Sequence, residues 1–310
     1  MKLGIVVVYL VAEENEKLLD LHFSQVEKHT KVPYTIYAGV KQLSPKIRLK
    51  VEQHPRVKIC EIPETSLHLV EEHSFYLEYL VKKAVEDGVS HIVTLHVDSF
   101  PICSGWAEAL AGRLSESCVF ATPFYGAYTA CLFFQRDFYL KYQPTFLLTE
   151  DQRASMKYKQ FCKEFGHIPH SGIGYIFRAY SEGVSWYPLA ESNKGDARFG
   201  FFNIIYEDLF FHLGSAAFPE HKPPNSTSFM PLRKGVWKRF WAPILRILLL
   251  TKTQQKLLGV KRLIMPRHLM SWGWKQIGVP FFLRPIFWEA RKQLLEDPES
   301  YLNYLRMGKR

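Results

Sequence analysis

What most limits the fold of this chain is its first hundred residues, where short unbroken apolar runs alternate with stretches of helical periodicity. Ile5 to Leu10 is wholly apolar, too short for a buried helix and suited to a strand covered on both faces. Glu13 to His29 then carries Leu18, Leu19, Leu21, Phe23 and Val26 at helical spacing. Tyr34 to Ala38 and Val57 to Ile62 read as further strands, Phe75 to Glu86 as a helix stopped by Gly88, and His91 to Leu95 as a fourth strand. That order predicts an α/β fold, a mostly parallel sheet with right-handed crossovers and flanking helices. Sheets of this kind take their ligands beyond the carboxyl ends of the strands.

Further along, Trp106 to Leu114 reads as a helix, Cys118 to Thr122 and Ala130 to Phe134 as strands, and Glu150 to Phe165 as helical. Gly172 to Tyr180 opens another helix and Val184 to Leu189 is a strand. A Pro/Asn/Ser stretch from Pro219 to Ser228 marks a linker. The expected organisation is therefore an α/β domain over residues 1–218, a linker over 219–232 and a helical region over 233–310.

Charge separates the last region from the rest. Residues 233–292 hold 14 of the 40 basic residues against one acid, Glu289, together with five of the seven tryptophans. Its apolar runs fall short of the ~18 residues that span a bilayer, so the reading is a helix that lies on an anionic membrane surface, or one that packs on the core with its basic face in solvent. No nucleic-acid motif accompanies the charge, and nucleic acid is not expected as a partner. The five cysteines show no CxxC spacing and the N-terminal run is followed by acids, which fits a cytoplasmic protein, peripheral at the inner face of the membrane.

The chemistry is expected where the fourth strand opens into His96-Val97-Asp98-Ser99-Phe100-Pro101. A carboxylate at that point can hold a hard divalent cation that also takes phosphate oxygens; it can also simply form a turn. Together with Phe199 to Ser215, which includes Glu207-Asp208 and His212-Leu213-Gly214, this stretch resembles the Asp-x-Asp site and far active-site wall of GT-A fold glycosyltransferases, family-2-like members especially. Asp98 falls on the second acidic position and His96 on the first, where the family has Asp.

The resemblance implies a nucleotide-sugar donor and a glycan or lipid-linked acceptor. It implies Mn²⁺ or Mg²⁺ held by Asp98, His96 and His212, and Asp208, with Glu207 second, as the base of an inverting transfer. Asp208 and His212 are expected to share a helix face at i and i+4. Tyr9, Val11 and Glu13 fall on the family's nucleotide loop, while Ser99 and Gly172 fall near the donor phosphates. A retaining transferase, or an inactive membrane-surface protein of the same fold, stays open. A sugar-phosphate nucleotidyltransferase would carry a Gly-rich basic loop after the first strand, where Val11-Ala12-Glu13-Glu14 stands instead.

Overall fold

The computed structural model describes residues 1–41, 43–123, 128–165, 171–193, 203–214, 216–217 and 285–308. It divides into two compact units, Met1–Ser192 with Ile205–Ala217, and Asn193–Ile204 with Phe218–Arg310. The expected linker and the basic stretch from 233 to 284 lie outside the described residues, as does the segment 199–202.

In the first unit β1 (Leu3–Val8), β2 (Tyr34–Gly39), β3 (Val57–Ile59) and β4 (His91–Leu95) alternate with α1 (Glu16–His29), α2 (Pro45–Glu52) and α3 (Leu69–Glu86). There follow β5 (Ser99–Pro101), α4 (Trp106–Ala111), β6 (Cys118–Pro123), β7 (Cys131–Gln135), α5 (Arg136–Tyr142), α6 (Glu150–Ala154), α7 (Met156–Phe165), α8 (Ile173–Glu182) and β8 (Ser185–Leu189). Two more short strands are β9 (Asn203–Tyr206) and β10 (Phe210–Leu213).

Seven strands form one sheet in the order β3-β2-β1-β4-β7-β6-β8, and β5, β10 and β9 form a small second sheet. β1 runs parallel to β2 on one side and to β4 on the other, with Ile5 opposite both Ile36 and Val93. All six β1 residues are buried, which is why the run is uniformly apolar. β7 alone runs against its neighbours β4 and β6. The architecture is the expected α/β one, with helices flanking a mostly parallel sheet.

Core packing follows from α3. Leu77, Leu80, Val81 and Ala84 are buried in one cluster with Val6 and Val8 of the sheet and with Phe120, Phe134 and Tyr175 beyond it. Each such large side chain contributes roughly 1.5–3 kcal/mol on leaving water. α2 has no counterpart in the expected elements. It is set by Ser44, whose hydroxyl accepts from the Ile47 amide at 3.4 Å, and by Pro45 in its first turn. The single helix expected over 150–165 is two, because Ser155 leaves helical geometry and its hydroxyl accepts from the Tyr158 amide at 3.1 Å.

The described part of the second unit holds α9 (Pro285–Glu296) and α10 (Pro298–Met307). Asp297 caps α10 by accepting from the Ser300 amide at 3.1 Å, and Asn203 donates to the Tyr301 hydroxyl at 2.8 Å. No helix among the described residues is long and apolar enough to cross a membrane.

Candidate metal centre

The chain leaves β1 outward through β2 and β3 and returns to β4 on the other side of β1. In sheets whose order reverses in this way ligands bind beyond the carboxyl ends of the strands at the reversal, which here are β1 and β4. The turn that follows β4 is held by Ser99, whose hydroxyl accepts from the His96 amide at 2.8 Å and donates to the Ala130 carbonyl at 2.7 Å. Ser99 is 1% exposed, so its hydroxyl serves the turn.

That turn presents Asp98. Its Oδ2 accepts from the Ala216 amide at 2.9 Å, and its carbonyl accepts from the Leu213 amide at 3.0 Å. Its Oδ1 lies 3.8 Å from His212 Nε2 and 4.0 Å from His96 Nδ1. His212 reaches this point because β10 pairs antiparallel with β5 and sets His212 opposite Ser99. The three donor atoms lie within 4.8 Å of one another, the residues that the sequence singled out for a metal.

The fit to a cation can be tested on this geometry. Gaps of 3.8 and 4.0 Å are too long for hydrogen bonds between the three groups. Ligands that each stand about 2.1 Å from one ion are about 3 to 4 Å apart, the range of the two gaps between Asp98 and the imidazoles. Burial holds the His212 imidazole at about 4, and His212 Nδ1 is buried without a hydrogen-bond partner among the described residues. Burial, then the nearby His73 and His212, push His96 well below 6.5. Both rings are therefore neutral at pH 7, as metal ligation requires. The residues fit a divalent cation, and two imidazoles with one carboxylate suit Mn²⁺ or another nitrogen-accepting ion better than Mg²⁺. His73 on α3 stands edge-on to His96, ring centroids 5.5 Å apart.

Behind His96 is a pair of hydroxyls. β7 runs antiparallel to β4 with Cys131 opposite Leu95, so the residues before β7 fall beside the residue after β4. Thr129 Oγ1 lies 2.9 Å from His96 Nε2 and 3.0 Å from Ser171 Oγ. Gly172 comes next, with φ of 97° as the cap of α8, so the sequence-predicted glycine stands at the end of this chain of groups.

The other expected site residues are placed differently. Tyr9 is fully buried, edge-on to His22 with centroids 5.8 Å apart, and burial raises its hydroxyl well above 10. It belongs to the core beneath α1. Val11 is buried, and Glu13 is exposed in a short turn, Glu13–Asn15. Within that turn Asn15 donates to the Ala217 carbonyl at 2.7 Å. The same segment that binds Asp98 through Ala216 is thus tied to the loop after β1. Sequence reasoning passed over Asn15, Thr129, His73 and the Ala216 amide.

Glu207 and Asp208 require a correction. They do not lie on a helix with His212: they are the tip of the β9–β10 hairpin, both with positive φ (53° and 55°), closed by a Leu209 amide to Tyr206 carbonyl bond of 2.9 Å. Asp208 Oδ1 accepts from Ser192 Oγ at 3.1 Å, and Glu207 Oε1 accepts from the Ala190 amide at 3.1 Å. Three residues separate Asp208 from His212, so at about 3.3 Å per residue the tip is on the order of 10 Å along the strand from His212. The structure brings His96, Asp98 and His212 together and binds this acidic pair to Ser192 and the Ala190 amide.

No family model matches the sequence, and no curated protein matches it. Solved structures that it is similar to include the glycosyltransferase GlyE of Streptococcus pneumoniae TIGR4, 12% identical over 65% of this chain and 47% of that one, with a TM-score of 0.34. Another is the galactosyltransferase LgtC in complex with donor and acceptor sugar analogues, 10% identical over 64% of this chain and 74% of that one, TM-score 0.36. A third is mouse xyloside xylosyltransferase 1, 9% identical over 61% and 85%, TM-score 0.36. These neighbours are glycosyltransferases. This chain spans about half the length of GlyE. At such scores the overlap is partial, and the strand order and the site stand without it.

Proposed function

We propose that the chain is a metal-assisted glycosyltransferase of the GT-A kind that takes its sugar from a nucleotide-diphosphate donor. The observation that carries this reading is Asp98 in the turn after the carboxyl end of β4, with one oxygen fixed by the Ala216 amide and the other facing two neutral imidazoles. Three protein ligands leave positions on a divalent cation for phosphate oxygens. A cation bound there would act as a Lewis acid on the departing diphosphate, where negative charge builds as the glycosidic bond breaks.

Asp98, His96 and His212 would hold the donor by its diphosphate end, and the space beyond the carboxyl ends of β1 and β4 would receive the nucleotide. Inverting and retaining transfer place the same demand on this half of the reaction. A glycan or lipid-linked acceptor is the class favoured by the basic, Trp-rich sequence of 233–292, which suits work beside an anionic membrane surface.

The test is thermal unfolding with UDP, GDP and dTDP, each with and without Mn²⁺. One nucleotide diphosphate is expected to stabilise the protein in a Mn²⁺-dependent way, by about 2.7 kcal/mol at a hundredfold excess over Kd. The reading fails if no nucleotide stabilises the protein, or if Asp98→Asn responds as the natural protein does.

A further inference from the structure

Thr129 is 2% exposed and stands between His96 and Ser171. Its hydroxyl has one proton to give. Two directions are open to a line of bonds through such a group: Ser171 to Thr129 to His96, which leaves His96 protonated on Nδ1, or His96 to Thr129 to Ser171, which leaves Nδ1 bare. Nδ1 is the atom that faces Asp98 Oδ1, at 4.0 Å. A proton on it would point at a carboxylate too distant to accept it and would block the lone pair that a cation needs.

We infer that Thr129 is a positioning residue that fixes His96 as the Nε2–H tautomer, so that His96 ligates a divalent cation through Nδ1. The inference rests on the metal-site reading above and adds to it the group that makes a histidine serviceable where the resembling family has a carboxylate. Aspartate has no tautomer to choose, but a histidine has two, of which one is useless here. Thr129 is itself fixed in place: its carbonyl accepts from Thr94 Oγ1 at 2.9 Å, and Thr94 is fully buried in β4. The backbone on either side of the His96 ring is therefore tied to the sheet. With Nε2–H donating to Thr129 Oγ1, the threonine hydroxyl donates to Ser171 Oγ just before α8, and each group of the line finds a partner. Partners of this kind typically change metal affinity by about 10- to 100-fold when removed.

The experiment compares the full chain with Thr129→Val, which keeps the shape and deletes the hydroxyl, and Thr129→Ser, which restores it. Mn²⁺ binding is read by the electron paramagnetic resonance of free Mn²⁺, and Co²⁺ binding by its visible absorption, both without nucleotide. Thr129→Val is expected to weaken both by about 10- to 100-fold, Thr129→Ser to stay within a few-fold of the natural protein, and the loss to vanish in a His96→Ala background. Separately, long-range ¹H–¹⁵N correlation on the metal-free protein should show the His96 proton on Nε2, a readout that needs no variant and that decides the matter if Thr129→Val does not fold. A proton on Nδ1, or unchanged metal binding in a folded Thr129→Val, overturns the role of Thr129 and leaves the metal site standing. Failure of the natural protein to bind either ion removes the site and this inference with it.

Discussion

Asp98 does two jobs with two oxygens, and substitutions can separate them. Oδ2 secures the segment after β10 through the Ala216 amide, and Oδ1 faces the imidazoles. Asn keeps a carbonyl oxygen for Ala216 but loses the negative charge that attracts a cation. Asp98→Asn is therefore expected to retain most of the stability and lose Mn²⁺ binding. Asp98→Ala loses both, with a further stability cost of about 1.5–3 kcal/mol for an amide left facing a missing charged partner. Urea unfolding beside Mn²⁺ titration checks the pair, and equal stability of the two variants would refute the division of labour. The ligand residues were legible in sequence because a strand end and a His-x-Gly stretch carry a recognisable order. Asn15, Thr129 and the Ala216 amide were not, because each acts through a hydrogen bond to a residue dozens of positions away or through a backbone group that no side-chain pattern records.

At the scale of elements, the first half was readable because each buried strand is a short apolar run bounded by a periodic helix; β4 was expected over the residues where it lies. The stretch from 203 to 213 was misread for a physical reason. All eight residues of β9 and β10 are buried, so no alternation shows, and the turn between them uses Glu207-Asp208 where a mirror-image turn favours Asn-Gly. Ser192 and the Ala190 amide compensate by binding both acids. The start of α8 is constrained in another way. A Cβ on Gly174 would stand 1.9 Å from the Thr145 carbonyl oxygen, a backbone atom that cannot rotate aside. Gly174→Ala should cost about 1–3 kcal/mol or more and lower the melting temperature by roughly 2–12 °C. Gly112→Ala, whose nearest contact would be 3.4 Å, serves as the tolerated control. If both variants melt together, the close approach at Gly174 is not what the structure indicates.

For the whole molecule, the buried histidines make stability depend on pH in a direction the structure dictates. His22 of α1 is fully buried between Tyr9 and Phe23, and burial lowers its pKa from 6.5 to about 4, against a partial offset from the Ser99 backbone. Its folded form is neutral. In the unfolded chain the same ring has an ordinary pKa near 6.5. Between these values the unfolded chain binds a proton that the folded chain refuses, so stability is complete above about pH 6.5 and is lost as pH falls toward 4. At pH 5 the loss from this one group is about 2 kcal/mol. His22→Gln, which has no proton to gain, should be less stable than the natural protein at pH 7 yet lose about 2 kcal/mol less between pH 7 and pH 5. Denaturant unfolding at the two pH values measures the difference, and equal losses in the two proteins would mean that His22 is either hydrated or already charged in the folded state.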